Sequence, residues 1–316
     1  MRVLGLLLVL ATGPALAQGA FDTTGPVLRG TGEALPATPT PGADLAYGAY
    51  QRGFFVTAFR AANLRLERKA DDAAAMTLIG ELYNQGLGMR EDPAKAAEWY
   101  RLAADLGDPH AQFALAMLTL RGRGVERAPD AARALLESAS GKGHPAASYN
   151  LALLLLQSDE AADLARAAEL LRQAGEEEVA DAQHALGVLY ARGRGVEQNA
   201  LRAFAWFGRA ARNGNLAGMV EQAIALFNGD GIVANEPEAA GLFRRAAFRG
   251  NAIAQNRLAR LYVAGRGVPR NEIEAAAWHI MAAAQGLSDP WLDGALKNLS
   301  PEDRARAERL AAERTG

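Results

Sequence analysis

Few side chains in this sequence could carry chemistry near neutral pH. The four histidines, His110, His144, His184 and His279, are the groups whose ordinary titration falls there. None shows the His-x-x-x-His or Cys-His spacing that puts two ligands on one helix face, so no metal site is expected. Cysteine is absent, which removes disulfides, zinc-thiolate sites and thiol nucleophiles together. Gly-x-Gly pairs at 86/88, 122/124, 193/195, 229/231 and 265/267 could be taken for phosphate cradles. They lack the Lys-Ser/Thr of a nucleotide loop, and no Gly-x-Ser-x-Gly or dinucleotide fingerprint accompanies them. The expectation is a non-enzymatic protein with no catalytic residue and no cofactor.

The same glycines say what positions the remaining residues. The pairs step by 36, 71, 36 and 36 residues, and Gly107, Gly143, Gly214, Gly250 and Gly286 step identically. A fixed period of this size is the signature of stacked repeats, with one marker missing inside the long step. Each unit reads as two helices. The first starts after the interval glycine, where Asp108, Asn215 and Asn251 are good N-caps and His144 shares their column. It ends at the Gly-x-Gly, because glycine accepts the left-handed cap. The second opens at Asp92-Pro93, Ala128-Pro129, Asn199, Glu236-Pro237 or Asn271.

Residues one period apart form columns. Gly80, Ala116, Ala152, Gly187, Ala223 and Ala259 make a small column that lets helices approach closely. Trp99, Leu135, Trp206, Leu242 and Trp278 form a large one, followed by Tyr100, Leu136, Phe207, Phe243 and His279. Both large columns are expected to fill the core, which accounts for three of the four tryptophans.

Unit four runs Ala182-x-x-Ala185-Leu186-Gly187-x-Leu189-Tyr190-x-x-Gly193-x-Gly195-Val196, then Ala203-x-x-Trp206-Phe207-x-x-Ala210-Ala211-x-x-Gly214. This resembles the Sel-one-like repeat, a subgroup of the tetratricopeptide superfamily. Unit six matches through Leu261-Tyr262-x-x-Gly265-x-Gly267-Val268 and Ala277-Trp278; units two and five have Thr119 and Leu226 where Tyr is usual. The resemblance spans about residues 46–290. It implies an all-α, right-handed superhelical solenoid of helix-turn-helix repeats that binds a partner protein in its concave groove, envelope signalling being one such role. Two alternatives stay open: a cell-wall or β-lactam hydrolase related to Cys-rich relatives, and a secreted host-interaction factor.

Departures from the repeat are the candidate partner-binding residues. Gln222 stands where other units have Ile79, Leu115, Leu151, Leu186 and Leu258, and Glu221 precedes it. This pair either faces the groove or finds an internal hydrogen bond. Glu176, Glu177 and Glu178 form an acidic insertion after unit three. Arg123, Arg194 and Arg266 occupy the middle of three Gly-x-Gly loops and would lie along one edge, as a solvated row or as a site for an anionic partner.

Composition bounds the rest. Of 316 residues 50% are hydrophobic, and 70 are Ala, which favours closely packed helices over sheets. A net charge of −2 gives no footprint for nucleic acid. Met1-Arg2, the apolar run Val3–Leu10 and Ala15-Leu16-Ala17 make residues 1–17 an export signal, so a periplasmic or secreted bacterial protein is expected. Residues 18–45 read as a Pro/Gly/Thr-rich flexible leader and 46–71 as a truncated repeat. Six repeats follow over 72–289, the third divergent, and 290–316 form a capping helix begun by Ser300-Pro301. No later stretch approaches the ~20 apolar residues of a membrane helix. Partner identity and oligomeric state are not legible.

Overall fold

The computed structural model describes residues 44–315. The expected export signal and all but the end of the leader lie outside the described residues. Those described form sixteen α-helices and no strand, and none of the helices is long and apolar enough to cross a membrane. They fall into two compact units that part between Gln157 and Ser158.

In the first unit α1 (Leu45–Gln51) and α2 (Phe55–Arg68) occupy the stretch where a truncated repeat was expected. Then come α3 (Ala73–Gln85) with α4 (Pro93–Asp105), α5 (Pro109–Arg121) with α6 (Pro129–Gly141), and α7 (Pro145–Leu155). The second unit begins with α8 (Ala161–Glu176). It continues with α9 (Ala180–Arg192) and α10 (Ala200–Arg212), α11 (Leu216–Asn228) and α12 (Glu236–Phe248), and α13 (Ala252–Ala264) and α14 (Glu272–Ala284). Two helices, α15 (Pro290–Leu296) and α16 (Pro301–Thr315), stand where a single capping helix was expected. Within each unit the helices up to α14 pack on their neighbours in sequence, as a stack of helix pairs does, and α16 passes over α15 to pack on α14.

The helix boundaries follow from local chemistry. Asp108, Asn215 and Asn251 each accept a backbone N–H two or three residues into the helix they precede, as Asn199 and Asn271 do for second helices. Asn235, rather than Glu236, caps α12. First helices end on glycines with φ near +66° to +81°. The second glycine of each loop has a further reason: a Cβ on Gly124 would overlap the backbone of Pro93 and Ala94 at the start of the preceding second helix. The loop after α7 has no such glycine. That helix is two residues shorter than α5 and stops at Leu156 in a right-handed conformation, next to the boundary between the units.

Packing corrects one column. Trp278 is fully buried, but Trp99 and Trp206 are only half-buried. The deepest column is the next one, with Tyr100, Leu136, Phe207 and Phe243 at 5% exposure or less. There the small column does its part: a Cβ on Gly187 would lie 2.6 Å from the Phe207 ring, and one on Gly80 2.7 Å from that of Tyr100. Burying such an aromatic stabilises by roughly 1.5–3 kcal/mol, so glycine's helix penalty of about 1 kcal/mol is offset by the ring it admits.

Polar residues join successive pairs. Gln112, Gln183 and Gln255 are buried in one column and donate to Ala104, Gly175 and Ala247 carbonyls at the ends of preceding second helices. Each of these carbonyls also accepts a backbone N–H from the turn after its helix, from Gly107, Glu178 and Gly250 respectively, so the amide fills the second acceptor position and ties the next repeat to that turn. Asn213 and Gln285 in turn donate to the Gln183 and Gln255 side-chain oxygens. At the C-terminus, Ser300 caps α16 as expected, and Ala307 and Ala311 are buried as that helix packs on α14. Arg314 pairs with Glu274 and lies 4.3 Å over the Trp278 ring.

Candidate functional site

In the second unit α9, α11 and α13 are first helices of successive repeats, so positions 36 residues apart occupy equivalent places. Ala185, Glu221 and Arg257 are one such set, and Val188, Ile224 and Arg260 another, one turn on. Glu221 is half-buried and makes no ion pair among the described residues. Burial pushes its carboxyl pKa up, while the Arg192 charge pulls it down. Arg192 and Arg257 are exposed, and among the described residues neither is in ion-pair contact with a carboxylate. A partly desolvated carboxylate that feels the exposed Arg192, with Arg257 at the equivalent position one repeat on and Val188, Ile224 and the half-exposed Ile253 on the same face, suits a protein segment with both polar and apolar groups.

Gln222 does not join that face as a contact. Its amide nitrogen lies 3.0 Å from where a Cβ on Gly208 would stand, so it takes the room that glycine leaves on α10. Other second helices carry Arg101, Glu137, Arg172, Arg244 or Ile280 at this position. The polar substitution in the leucine column is thus matched by a missing side chain opposite.

The loop arginines each reach back toward the preceding repeat. Arg123 donates to Glu91 at 2.7 Å and to the Asn84 carbonyl at 3.1 Å. Arg194 lies 3.8 Å from Asp159 and 3.5 Å from the Ser158 carbonyl. Arg266 pairs with Glu236 at 2.6 Å and covers the Phe227 ring at 4.2 Å. The row is a set of braces between repeats rather than an open edge for an anion.

Glu176, Glu177 and Glu178 are not an insertion. Glu176 ends α8 and pairs with Arg172, and Glu177 is the C-cap. Glu178 has φ 61°, the left-handed conformation held by glycine in the other units. It is the missing interval marker, and the period continues through it.

Two residues that sequence spacing kept apart meet in the structure. His144 is buried and caps α7: its Nδ1 accepts the Ala147 N–H at 3.1 Å. An accepting Nδ1 places the proton on Nε2, which lies 3.2 Å from His110 Nδ1 and donates to it. Burial and the neighbouring His110 push the His144 pKa down to about 4. His184 is pushed down by burial, and His279 bonds Asp293 at 2.7 Å. Asp289, also missed, is 4% exposed; it caps α15, takes both ends of the Arg260 guanidinium and accepts from Asn256. Its carboxyl is held at about 2 by these donors, which outweigh the opposing effect of desolvation.

The model of the Sel1 repeat matches residues 73–108, 109–144, 145–178, 180–215, 218–251 and 252–287. The chain belongs to the Sel1 repeat family. The third match closes at Glu178, the residue that replaces the interval glycine. A Sel1 repeat protein from Oxalobacter formigenes is similar at 25% identity and TM-score 0.65, over 76% of this chain and 97% of that one. A protective antigen present in uropathogenic Escherichia coli strains, displaying the same repeat fold, is similar at 25% identity and TM-score 0.55, over 85% of this chain and 67% of that one. No curated protein matches the sequence. The Sel1 assignment makes this a helical-repeat scaffold of the kind that serves protein interaction, and it indicates no catalytic family.

Proposed function

We propose that this Sel1 repeat protein is an exported, non-enzymatic scaffold or regulator that holds a partner protein on the first-helix face of its second unit, with a role in envelope signalling. The observation that carries the reading is Glu221: a half-buried carboxylate without an ion pair among the described residues, within the field of Arg192 and on a partly apolar face. No described residue pairs with it, and a partner's Lys, Arg or backbone N–H would compensate its desolvation. Export rests on the sequence pattern of residues 1–17.

Crosslinking the mature protein in a bacterial envelope fraction tests this. A protein recovered with wild type and lost with Glu221→Lys supports the reading; recovery independent of that change refutes the site. Nitrocefin turnover above the buffer rate by the purified protein would favour the hydrolase instead. The likeness to a protective antigen of uropathogenic strains supports a second reading, a host-interaction factor. Binding to host cells rather than to an envelope protein distinguishes it.

A further inference from the structure

The second helices of the second unit carry a surface that the first-helix face does not explain. On α10, Arg202, Ala205, Arg209 and Arg212 follow one another at helical spacing along one stripe. On α12, Gly241, Arg244, Arg245 and Phe248 do the same, and 205/241, 209/245 and 212/248 are equivalent positions one repeat apart. Arg249 donates to the Gly214 carbonyl at 3.2 Å, which ties the ends of the two helices together.

The charge of this surface is not neutralised from within. Arg202 lies over Tyr190, Arg209 over Trp206 with a bond to the Gly175 carbonyl, and Arg244 reaches Tyr262. Among the described residues none of these, nor Arg212, Arg245 or Arg249, makes an ion pair with a carboxylate. α10 has no acidic residue, and those of α12 are confined to its first turn, where Glu236 is engaged by Arg266. The helix before them is different. On α8, Glu169 and Glu176 stand at the positions of Ala205 and Arg212, and both pair with Arg172. The repeat thus accommodates acids at these places, and α10 and α12 lack them.

Two further observations say what the surface fits. Phe248 is 58% exposed at the end of the stripe, its ring edge-on to Trp278. Gly241 sits in the middle of an exposed helix face, where glycine costs about 1 kcal/mol relative to alanine. A Cβ there would meet nothing within 4 Å. No packing inside the chain requires that glycine, whereas close approach of another backbone would. A purely anionic polymer would use neither the phenyl ring nor the glycine.

The geometry points to a second docking surface, on which α10 and α12 receive an acidic amphipathic helix of a partner protein. Its carboxylates pair with Arg212, Arg244 and Arg245, and its backbone crosses over Gly241 and Ala205 beside Phe248.

The test uses the mature full-length chain. The probe is a synthetic helical peptide of about 20 residues, long enough to hold helix, with glutamates along one stripe and leucines beside it, followed by fluorescence anisotropy. Arg212→Glu/Arg244→Glu/Arg245→Glu is expected to weaken binding at least about tenfold. Gly241→Leu, which favours the helix and keeps every charge, is expected to weaken it as well. Glu221→Lys is expected to leave it unchanged, which separates this surface from the first-helix site. Circular dichroism and melting confirm the fold of each variant. If the triple variant does not fold, Gly241→Leu and the decline of binding with salt carry the test. The proposal is overturned if a Glu→Gln version of the peptide binds equally well or if Gly241→Leu has no effect. Equal binding of polyglutamate or of anionic phospholipid vesicles would also overturn it.

Discussion

The N-cap of α7 is a histidine that works only when neutral, and this makes a specific pH prediction. His144 Nδ1 must stay unprotonated to accept the Ala147 N–H, and protonation would set a cation at a helix N-terminus. The charged and titratable groups facing it are His110, which lowers its pKa, and Asp108, which raises it. The folded value of about 4 lies below the ordinary 6.5 of the unfolded chain, so the unfolded state binds the proton first as pH falls. Stability is therefore full above the unfolded pKa and is lost as pH falls toward the folded one. Integrating between pH 7.5 and 4.5 gives a loss of about 2.5 kcal/mol. His144→Asn keeps a side-chain cap but does not titrate, so it isolates this contribution from His184, which shifts the same way. Urea unfolding of both proteins at several pH values is the assay. Wild type should lose about 2.5 kcal/mol relative to His144→Asn over that window. Parallel curves would refute the cap assignment and the tautomer inferred from it.

Three further changes have expected outcomes. Gly187→Ala should destabilise by about 1–3 kcal/mol despite alanine's better helix propensity, because its Cβ meets the Phe207 ring; adding Phe207→Leu should recover part of this in a thermal-melt double-mutant cycle. Glu178→Gly should raise the melting temperature: a left-handed non-glycine residue costs roughly 1–2 kcal/mol, which exceeds the entropy that glycine adds to the unfolded chain. Asp289→Asn should cost about 1–3 kcal/mol and loosen α15, visible as a change in Trp291 fluorescence because Arg260 stacks 5.0 Å from that ring. The wild-type contribution of Asp289 should be present above the ordinary carboxylate pKa and lost as pH falls through about 2.

The fold was legible because its determinants recur. A left-handed glycine at most loops, an Asn or Asp at most caps and a small column at the contacts repeat with a period the eye can follow. What escaped were places where a different residue type does the same work. Glu178 adopts the glycine conformation, so the period runs on through the third unit although that unit also lacks the loop glycines and two residues of its first helix. His144 caps like the asparagines in its column, and Gln222 in the fifth repeat stayed open between the groove and the interior because Gly208, whose room it takes, lies fourteen positions away. The arginine row was visible, but its purpose depended on acids 30 to 35 residues earlier, such as Glu236 and Asp159. Pairings of that range come from stacking, which spacing within one helix does not reveal. The basic stripe on α10 and α12 escaped for the same reason: lack of ion pairing is a property of neighbours in space.

Photo-crosslinking in living cells probes whether the first-helix face around Glu221 holds a partner protein. A photoreactive residue at Ala217, exposed on α11, is compared with one at Asp130, exposed on α6. A discrete protein adduct is expected from position 217, none from position 130, and loss of the adduct when Glu221→Lys is combined with the probe. An adduct that survives Glu221→Lys, or equal labelling from both positions, would contradict this expectation.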